Sequence, residues 1–275
     1  MKYIDPLLFI DANQYLDLYR TETATHQLPA LQEQHAHIFV TTMIVDEVQR
    51  NKVKVAAEFL MKQESKKELA HDLLDQITRS EDEVSKTLAA LFAHAIPHTE
   101  DALQRARRRK ELGNAPGKIK NGPVGDQLTW EQILDQCKGK SAVWIITRDG
   151  DYATEYEKKM FLNAMLYQDL VRLYQRPPEV FCFNNIPEGI LHFAELTKTK
   201  ADKLPRPEEI EEIKKELDSL PPFGWMDSSM DDATMVAILS HRQRQTSPAL
   251  WAYMSGQNNT EWLSKMVPAP DKTDK

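Results

Sequence analysis

The chain has 275 residues, of which 41% are apolar, and its formal net charge is −7. This composition predicts a folded globular protein, and the acidic balance argues against a purely electrostatic nucleic-acid binder. The sequence contains no run of about 18 apolar residues, and its first apolar stretch is too short for a signal peptide, so we expect no membrane span and a cytoplasmic location. The two cysteines, Cys137 and Cys182, are too few for a disulfide framework and are predicted to be core thiols.

Four short apolar segments along the chain are predicted to be strands, and each is followed by residues with helical spacing. The segments span residues 6–10, 36–42 and 141–149, with a weaker fourth at 179–185. Short buried strands that alternate with helices indicate a parallel sheet that is covered on both faces. We therefore predict an α/β protein with three layers, in which helices pack on both sides of a central parallel sheet.

The long segment between the second and third strands is predicted to be a helical insertion. Residues 50–112 have no strand signal, are rich in Lys, Glu, Leu and Ala, and have breaks near Ser80 and Pro97. The following residues, 113–126, include four glycines and two prolines, which predicts a loop. A long Gly-rich loop within a compact domain is more often functional than not, so this loop is a candidate part of a site.

The composition changes near Lys198, which divides the chain into two predicted regions. We predict one domain over residues 1–197, followed over residues 198–275 by a charged linker and a helical C-terminal extension. Within the extension, PEEIEEIKKELDSL predicts an exposed helix ahead of a Pro-Pro break, and DDATMVAILSHRQ predicts a further helix. Trp225 and Trp251 are candidates for base stacking, but isolated aromatic residues in a helical context are more often packing residues.

Acidic residues stand at the ends of several predicted elements. In an open parallel sheet, ligands bind beside the carboxyl ends of the strands, and the residues after the first and third predicted strands reach that edge. On the helix after the second strand, an acidic residue lies between Ile44 and Val48 and therefore shares their inward face. The four residues that we expect to converge are Asp11, Glu47, Asp126 and Asp149, with Asp151 as an alternative to Asp149.

Each of these acidic residues has a simpler interpretation when it is considered alone. Asp11 and Asp126 can be helix N-caps, Glu47 can be a solvated helix residue, and Asp149 can belong to a turn. Four carboxylates within several ångströms of one another repel by about 3 kcal/mol per pair at an effective dielectric constant of about 20. If they converge, they therefore require a cation among them, and oxygen ligands favour Mg²⁺ or Mn²⁺.

Four sequence motifs occur in a defined order along the chain. They are IDANQYL, TTMIVDEVQRN, GDQLTWEQIL and ITRDGDY, and the resemblance described next covers about residues 3–195 and not the C-terminal extension. The order of an Asp-x-Asn, an acidic helix, a helix-opening Asp and a Thr-x-Asp resembles that of the PIN-domain nucleases. The segment APGKIKNGPVGDQLTW is similar to one PIN-like branch with a helical insertion before this turn, although it lacks the second Pro and the Asp after the Lys that are typical of that branch.

The resemblance implies an enzyme that uses Mg²⁺ or Mn²⁺ to hydrolyse phosphodiester bonds. Asp11, Glu47, Asp126 and Asp149 would be the catalytic metal ligands, and Asp151 would be a further ligand candidate. Asn13 and Thr147 would orient these carboxylates, although Asn13 is an equally good candidate for a helix cap.

One segment of this acidic chain is strongly basic. Residues 105–120 contain seven basic residues and one acidic residue. Such a patch is suited to contacts with the phosphates of a nucleic acid, although the arginines can equally form a solvated helix face. The candidates for substrate binding are Lys118, Lys120, Arg105, Arg108 and Arg109, and the two lysines are favoured because they are closer in sequence to Asp126.

Two functions of different classes agree with these features. The first is a divalent-metal-dependent nuclease that acts on single-stranded RNA, because most PIN-like proteins act on RNA. The second is a catalytically inactive PIN-like scaffold that binds nucleic acid or a partner protein through the basic loop and the C-terminal extension. The four carboxylates favour the nuclease, because a scaffold has no reason to tolerate their repulsion. A homo-oligomer or an inhibitory protein partner is a further expectation, and a membrane partner is not expected.

Overall fold

The computed structural model describes residues 3, 5–63, 68–117 and 123–220. The first half of the described chain forms β1 (Leu7–Ile10), α1 (Ala12–Asp17), α2 (Ala24–Gln34), β2 (Ile38–Phe39), α3 (Thr42–Lys62), α4 (Ala70–Arg79), α5 (Glu83–Phe92) and α6 (Glu100–Glu111). The second half forms α7 (Gly125–Cys137), β3 (Val143–Ile146), β4 (Ala153–Tyr156), β5 (Lys159–Leu162), α8 (Ala164–Tyr174), β6 (Val180–Phe183), α9 (Ile186–Thr197) and α10 (Pro207–Ser219).

The central sheet has the strand order β2-β1-β3-β6, and all of its strands are parallel. These are the four segments that the sequence predicts, although β2 is shortened to two residues. Phe9 of β1 lies opposite Phe39 of β2 on one side and opposite Ile145 of β3 on the other. Because β1 and β3 are adjacent and parallel, their carboxyl ends lie side by side at one edge of the sheet. Parallel strands are joined by crossover connections, which here contain helices.

Helix α9 covers one face of the sheet. Trp144 and Ile146 alternate with Ile145 along β3 and therefore point to the same face. The ring of Trp144 meets Phe193 of α9 edge-on at 5.2 Å. At Gly189, a Cβ atom would lie 2.3 Å from the Cδ1 of Ile146, so glycine is what allows α9 to approach β3 this closely.

Helix α7 covers the opposite face. Phe9 projects to the side away from α9, and its ring stacks on Tyr152 with 6.4 Å between centroids. Tyr152 in turn meets Trp130 of α7 edge-on at 6.2 Å. Because α7 and α9 pack on opposite faces, the fold has three layers, and the predicted α/β/α architecture with a central parallel sheet is confirmed.

The described residues between β2 and β3 contain helices α3 to α7, together with a single isolated bridge between Thr41 and Ile96. Helix α3 begins at Thr42, capped by the Thr41 hydroxyl, which accepts a hydrogen bond from the Ile44 amide at 3.2 Å. It continues unbroken to Lys62, so the helix that carries Glu47 extends directly into the segment expected as an insertion. None of the described helices is long and apolar enough to cross a membrane.

Helix α10 packs on the rest of the described chain. The sequence analysis instead expected this helix to be exposed. Ile213 and Leu217 are buried. The Glu216 carboxylate accepts hydrogen bonds from the Glu22 and Thr23 amides at 2.6 and 3.0 Å, ahead of helix α2. A short apolar stripe is enough to anchor a helix whose other positions are mostly charged. The predicted helix DDATMVAILSHRQ, Trp225 and Trp251 lie outside the described residues.

A β-hairpin formed by β4 and β5 was not expected from the sequence. It is antiparallel and forms a separate two-stranded sheet, with Tyr156 paired to Lys159 across the turn. The two turn residues, Glu157 and Lys158, both have positive φ angles, of 49° and 63°. Asn or Gly usually occupies such turn positions, so the sequence carries no ordinary hairpin signal here.

Candidate functional site

The site begins where β1 ends. The Asp11 amide donates to the Ile146 carbonyl at 2.9 Å, which holds the end of β1 against the end of β3. Asp11 is also the N-cap of α1, because its Oδ1 accepts a hydrogen bond from the Ala12 amide at 2.8 Å. Capping therefore occupies one oxygen of this carboxylate and leaves the other directed toward β3.

Two side chains bind the second oxygen of Asp11. Its Oδ2 accepts hydrogen bonds from Asn13 Nδ2 at 2.6 Å and from the Thr147 hydroxyl at 2.8 Å. The same Asn13 Nδ2 atom also lies 3.3 Å from Thr147 Oγ1. Asn13 and Thr147 thus form one hydrogen-bonded unit with Asp11, and this unit defines the orientation of its carboxylate.

Glu47 lies on the first half of α3 and is influenced by acidic groups from other elements. Partial burial and the negative charges of Asp126 and Asp149 together raise its pKa to about 7, against the opposing effect of Arg50. The pKa of buried Asp11 is also raised well above its ordinary value, first by burial and then by Glu47, with smaller contributions from Asp149 and Asp126. The four predicted carboxylates are therefore close enough to repel one another.

Asp126 lies in the first turn of α7 and is not its N-cap, which is Val124. Capping therefore does not explain why an acidic residue is placed here, although a negative charge in the first turn does favour the helix dipole. Gly117 lies against this carboxylate, because a Cβ atom at Gly117 would lie 3.3 Å from Asp126 Oδ2. Gly117 has a φ of +96°, so both its backbone angle and its close approach require glycine.

Asp149 and Asp151 follow β3 in a turn and differ in their relation to the other acids. The Asp149 amide donates to the Thr147 hydroxyl at 2.9 Å, and Asp149 Oδ1 accepts from the Asp151 amide at 2.9 Å. Asp149 is among the groups that raise the pKa of Asp11 and Glu47, whereas Asp151 is not. The electrostatic relations thus favour Asp149 over Asp151 as the fourth member of the cluster.

The donor chemistry of the cluster matches a hard divalent cation. Its four groups are carboxylates, and Asp11 Oδ1 accepts only one hydrogen bond from the described residues, so it keeps capacity for a ligand. In the described part of the chain, no three His, Cys, Asp or Glu side chains are arranged to hold a metal ion. A cation among these carboxylates would offset their mutual repulsion.

Comparison with known proteins agrees with this geometry. A family model described as PIN domain matches residues 8–152, which is more than half of the chain and includes all four carboxylates. The chain belongs to the PIN domain family. PIN domains are in general nucleases that use divalent metals, so the family indicates a nuclease-type domain. No curated protein and no solved structure matches the chain. The predicted resemblance is confirmed at the level of the family, while the branch within it stays a prediction.

Tyr152 is a residue of this PIN domain that the sequence analysis did not single out. Its hydroxyl donates to the Asp126 carbonyl at 3.2 Å, which ties the first turn of α7 to the segment after β3. Burial raises the pKa of Tyr152 well above its ordinary value, and the charges of all four carboxylates raise it further. The phenol therefore stays protonated beside the acids. A single Tyr two residues after ITRDG carries no sequence signal for this role.

Arg148 was also missed, and it fixes the segment between Thr147 and Asp149. Its guanidinium donates to Asp17 Oδ2 at 3.0 Å and to the Leu217 carbonyl of α10 at 3.0 Å. Its amide lies 3.3 Å from Asn13 Oδ1. The end of β3 is thus tied to α1 and to α10, so helix α10 contributes to the support of the candidate site.

The predicted substrate-binding arginines divide into two groups. Arg105 donates to Glu131 and Asp135 of α7, and Arg109 pairs with Glu131 and with Asp169 of α8. These guanidinium groups therefore form ion pairs that connect helices within the fold. Arg108 is exposed and forms no ion pair with a described residue. Lys118 and Lys120 lie outside the described residues.

Replacing Glu47 with Gln should stabilise the metal-free protein above pH 7, because it removes a repelled charge. The folded state raises the pKa of Glu47 from 4.5 to about 7, so the folded protein binds more protons than the unfolded chain between these values. The parent should therefore lose stability as the pH rises through this window. We expect the variant to exceed the parent in unfolding free energy by about 3 kcal/mol at pH 8 and the difference to vanish near pH 4. Urea unfolding in EDTA at both pH values measures this, and an equal difference at both would contradict it.

Proposed function

We propose that this PIN domain is a divalent-metal-dependent nuclease that hydrolyses phosphodiester bonds, with single-stranded RNA as its substrate. The observation that supports this most strongly is the electrostatic coupling of Asp11, Glu47, Asp126 and Asp149 at the carboxyl edge of the sheet. Acidic groups that repel one another in a partly buried site are costly to the fold. A cationic ligand gives this cost a functional reason.

The four carboxylates would hold one or two Mg²⁺ or Mn²⁺ ions. Such an ion supplies the activation of water and the neutralisation of developing charge that phosphodiester hydrolysis requires. Asn13 and Thr147 would keep Asp11 in the orientation that ligand binding needs, because they bind its Oδ2, while Oδ1 accepts one hydrogen bond from the Ala12 amide and keeps capacity for a ligand. Asp151 is the alternative to Asp149 as a ligand, and the electrostatic relations of the acids favour Asp149.

The chain itself performs the remaining tasks at the site. Tyr152 holds the first turn of α7, and therefore Asp126, against the segment that carries Asp149. Positive charge for the substrate phosphates would come from Arg108, which is exposed, and from Lys118 and Lys120. Arg105 and Arg109 would contribute indirectly, by holding α6 against α7, since their guanidinium groups already bind carboxylates of the protein.

The preference for RNA, a cytoplasmic location and any homo-oligomer or inhibitory partner rest on the sequence and the family. The test is to incubate the purified protein with labelled single-stranded RNA and single-stranded DNA, with either Mn²⁺ or EDTA. We expect cleavage of RNA that requires the metal. Binding of RNA without cleavage under any metal would instead favour the alternative, a catalytically inactive PIN-like scaffold.

A further inference from the structure

The hairpin of β4 and β5 presents an aromatic surface. Residues paired across an antiparallel ladder share a face, as do alternate residues along a strand. Tyr156 pairs with Lys159 and Thr154 pairs with Phe161, so these four side chains lie on one face of the hairpin. That face points to solvent: Tyr156 is 66% exposed and Phe161 is 48% exposed.

The opposite face of the hairpin attaches it to the domain. Ala153 is buried, Leu162 packs on the main core, and Glu155 accepts a hydrogen bond from Asn184 at 2.9 Å. The hairpin is therefore packed on the domain, and its aromatic rings are exposed even though its other face is anchored. A sheet with one buried face would ordinarily place polar residues on the other. Here two large aromatic rings occupy that other face instead.

The hairpin starts at the candidate metal site. Ala153 directly follows Tyr152, and its amide donates to the Asp149 carbonyl at 3.2 Å. The Asn163 amide closes the base of the hairpin by donating to the Tyr152 carbonyl at 2.8 Å. From Ala153 to Tyr156 the strand spans about 10 Å. A polymer whose backbone lies at the carboxylates can therefore reach the exposed rings within a few monomers.

The chemistry of this face fits unpaired bases. Aromatic rings bind bases by stacking, and every base offers a flat face for this when it is not inside a duplex. The Nζ atom of Lys159 lies over the Phe161 ring, 5.3 Å from its centre, so a positive charge stands at one face of this ring while the Tyr156 ring has no such cation over it among the described residues. A phosphate that follows a stacked base would meet this ammonium group. The face thus combines the two contacts that single-stranded nucleic acids use.

We propose that the aromatic face of the β4–β5 hairpin, formed by Tyr156, Phe161 and Lys159, binds single-stranded nucleic acid next to the carboxylate site. The proposal builds on the proposed nuclease function, since it assigns a binding surface to the same substrate. The hairpin lies beyond residues 8–152, so the family match does not account for it. Two rings flanked by charged residues offer far less than the roughly 800 Å² per partner of a stable protein interface.

The test measures binding without cleavage. A fluorescently labelled eight-nucleotide RNA is titrated with the full chain in EDTA, and the anisotropy gives the Kd. The double variant Tyr156→Leu, Phe161→Leu keeps apolar side chains but removes both rings, and it should bind at least about 10-fold more weakly. Tyr156→Phe keeps the ring and should bind within about 2-fold of the parent. Leu69→Ala, at a residue that is 61% exposed elsewhere, is the matched control and should have no effect.

Three results would overturn the proposal: no binding of the RNA by the parent, parent-like binding by the double variant, or equal affinity of the parent for a duplex of the same length. Self-association of the parent that the double variant loses would assign the face to a second copy of the chain instead. Cleavage with Mn²⁺ is scored separately. RNA binding that depends on the rings in a parent that does not cleave would support the hairpin surface while contradicting the nuclease proposal.

Discussion

Replacing Asp126 with Asn should abolish metal-dependent cleavage while leaving the metal-free protein about as stable as the parent or more so. Asp126 raises the pKa of Glu47 and Asp11, so its removal relieves repulsion in the absence of metal. The change also removes a negative charge from the first turn of α7, where the helix dipole favours it by about 0.3–1 kcal/mol. These two effects on the stability of the metal-free protein oppose each other. Neither of them reports whether Asp126 binds a metal.

Adding a metal ion shows whether Asp126 is a metal ligand or only a charge in the first turn of α7. Mn²⁺ that binds only the folded protein raises its melting temperature in proportion to occupancy, and Asp126→Asn should lose most of this rise. Cleavage should fall by orders of magnitude at the same time. The matched control is Asp151→Asn, which removes the same charge from a residue that does not raise the pKa of the other acids. It should keep both the metal-dependent stabilisation and most of the activity.

The measurement is a pair of melting curves, in EDTA and in Mn²⁺, together with a cleavage assay for each protein. An Asp126→Asn variant that keeps the full metal-dependent shift and full cleavage would remove Asp126 from the site. If Asp151→Asn loses both and Asp126→Asn loses neither, the ligand set would have to be reassigned to the turn after β3.

Replacing Arg109 with Met should destabilise the fold by about 3 kcal/mol, because buried carboxylates would lose a partner. The side chains of Arg109, Glu131 and Asp169 are 10%, 7% and 12% exposed, and the guanidinium joins α6 to α7 and α8. Arg109 Nη1 also donates to the Ala115 carbonyl at 2.9 Å, in the turn that leads to Gly117 beside Asp126. Loss of this arginine should therefore loosen the turn as well as the helices.

Arg108 provides the control at the neighbouring position. It is exposed, so Arg108→Met should change stability by no more than about 0.5 kcal/mol. If Arg108 contacts phosphate, its replacement should weaken RNA binding and reduce the salt dependence of log K by about 1. Urea unfolding and RNA titrations at several salt concentrations measure both effects. Equal stability of the two variants, with RNA binding lost only in Arg109→Met, would show that Arg109 serves the substrate and not the fold.

These arginines show where sequence patterns lose information. A run such as RARRRK has the same composition whether its charges face solvent, a phosphate or a carboxylate of another helix. Glu131 and Asp169 are 22 and 60 positions away from Arg109 in the sequence. Only the packing of α6 on α7 and α8 brings these residues together and separates Arg109 from Arg108.

The β4–β5 hairpin and helix α10 were misjudged for related reasons. The hairpin turn places Glu157 and Lys158 at positive φ, a conformation that the surrounding fold maintains against their local preference. Helix α10 has a short apolar stripe, and its burial depends on contacts with Thr23 and Arg148, far away in the chain. Local propensity does not record such distant partners.

Sequence patterns alone predicted the four-stranded parallel sheet and the helices around it, and the order of the four acidic motifs indicated the PIN domain family. Short apolar strands must be buried on both faces, and the residues just after such a strand have to lie near its carboxyl end, so local pattern alone was enough to predict that Asp11 and Asp149 lie at this edge. The groups that share an environment are known only from the folded structure. The coupling of Glu47 to Asp126, the position of Tyr152 and the exposed hairpin face all depend on distances between elements, because electrostatic and packing forces act through space and not along the chain.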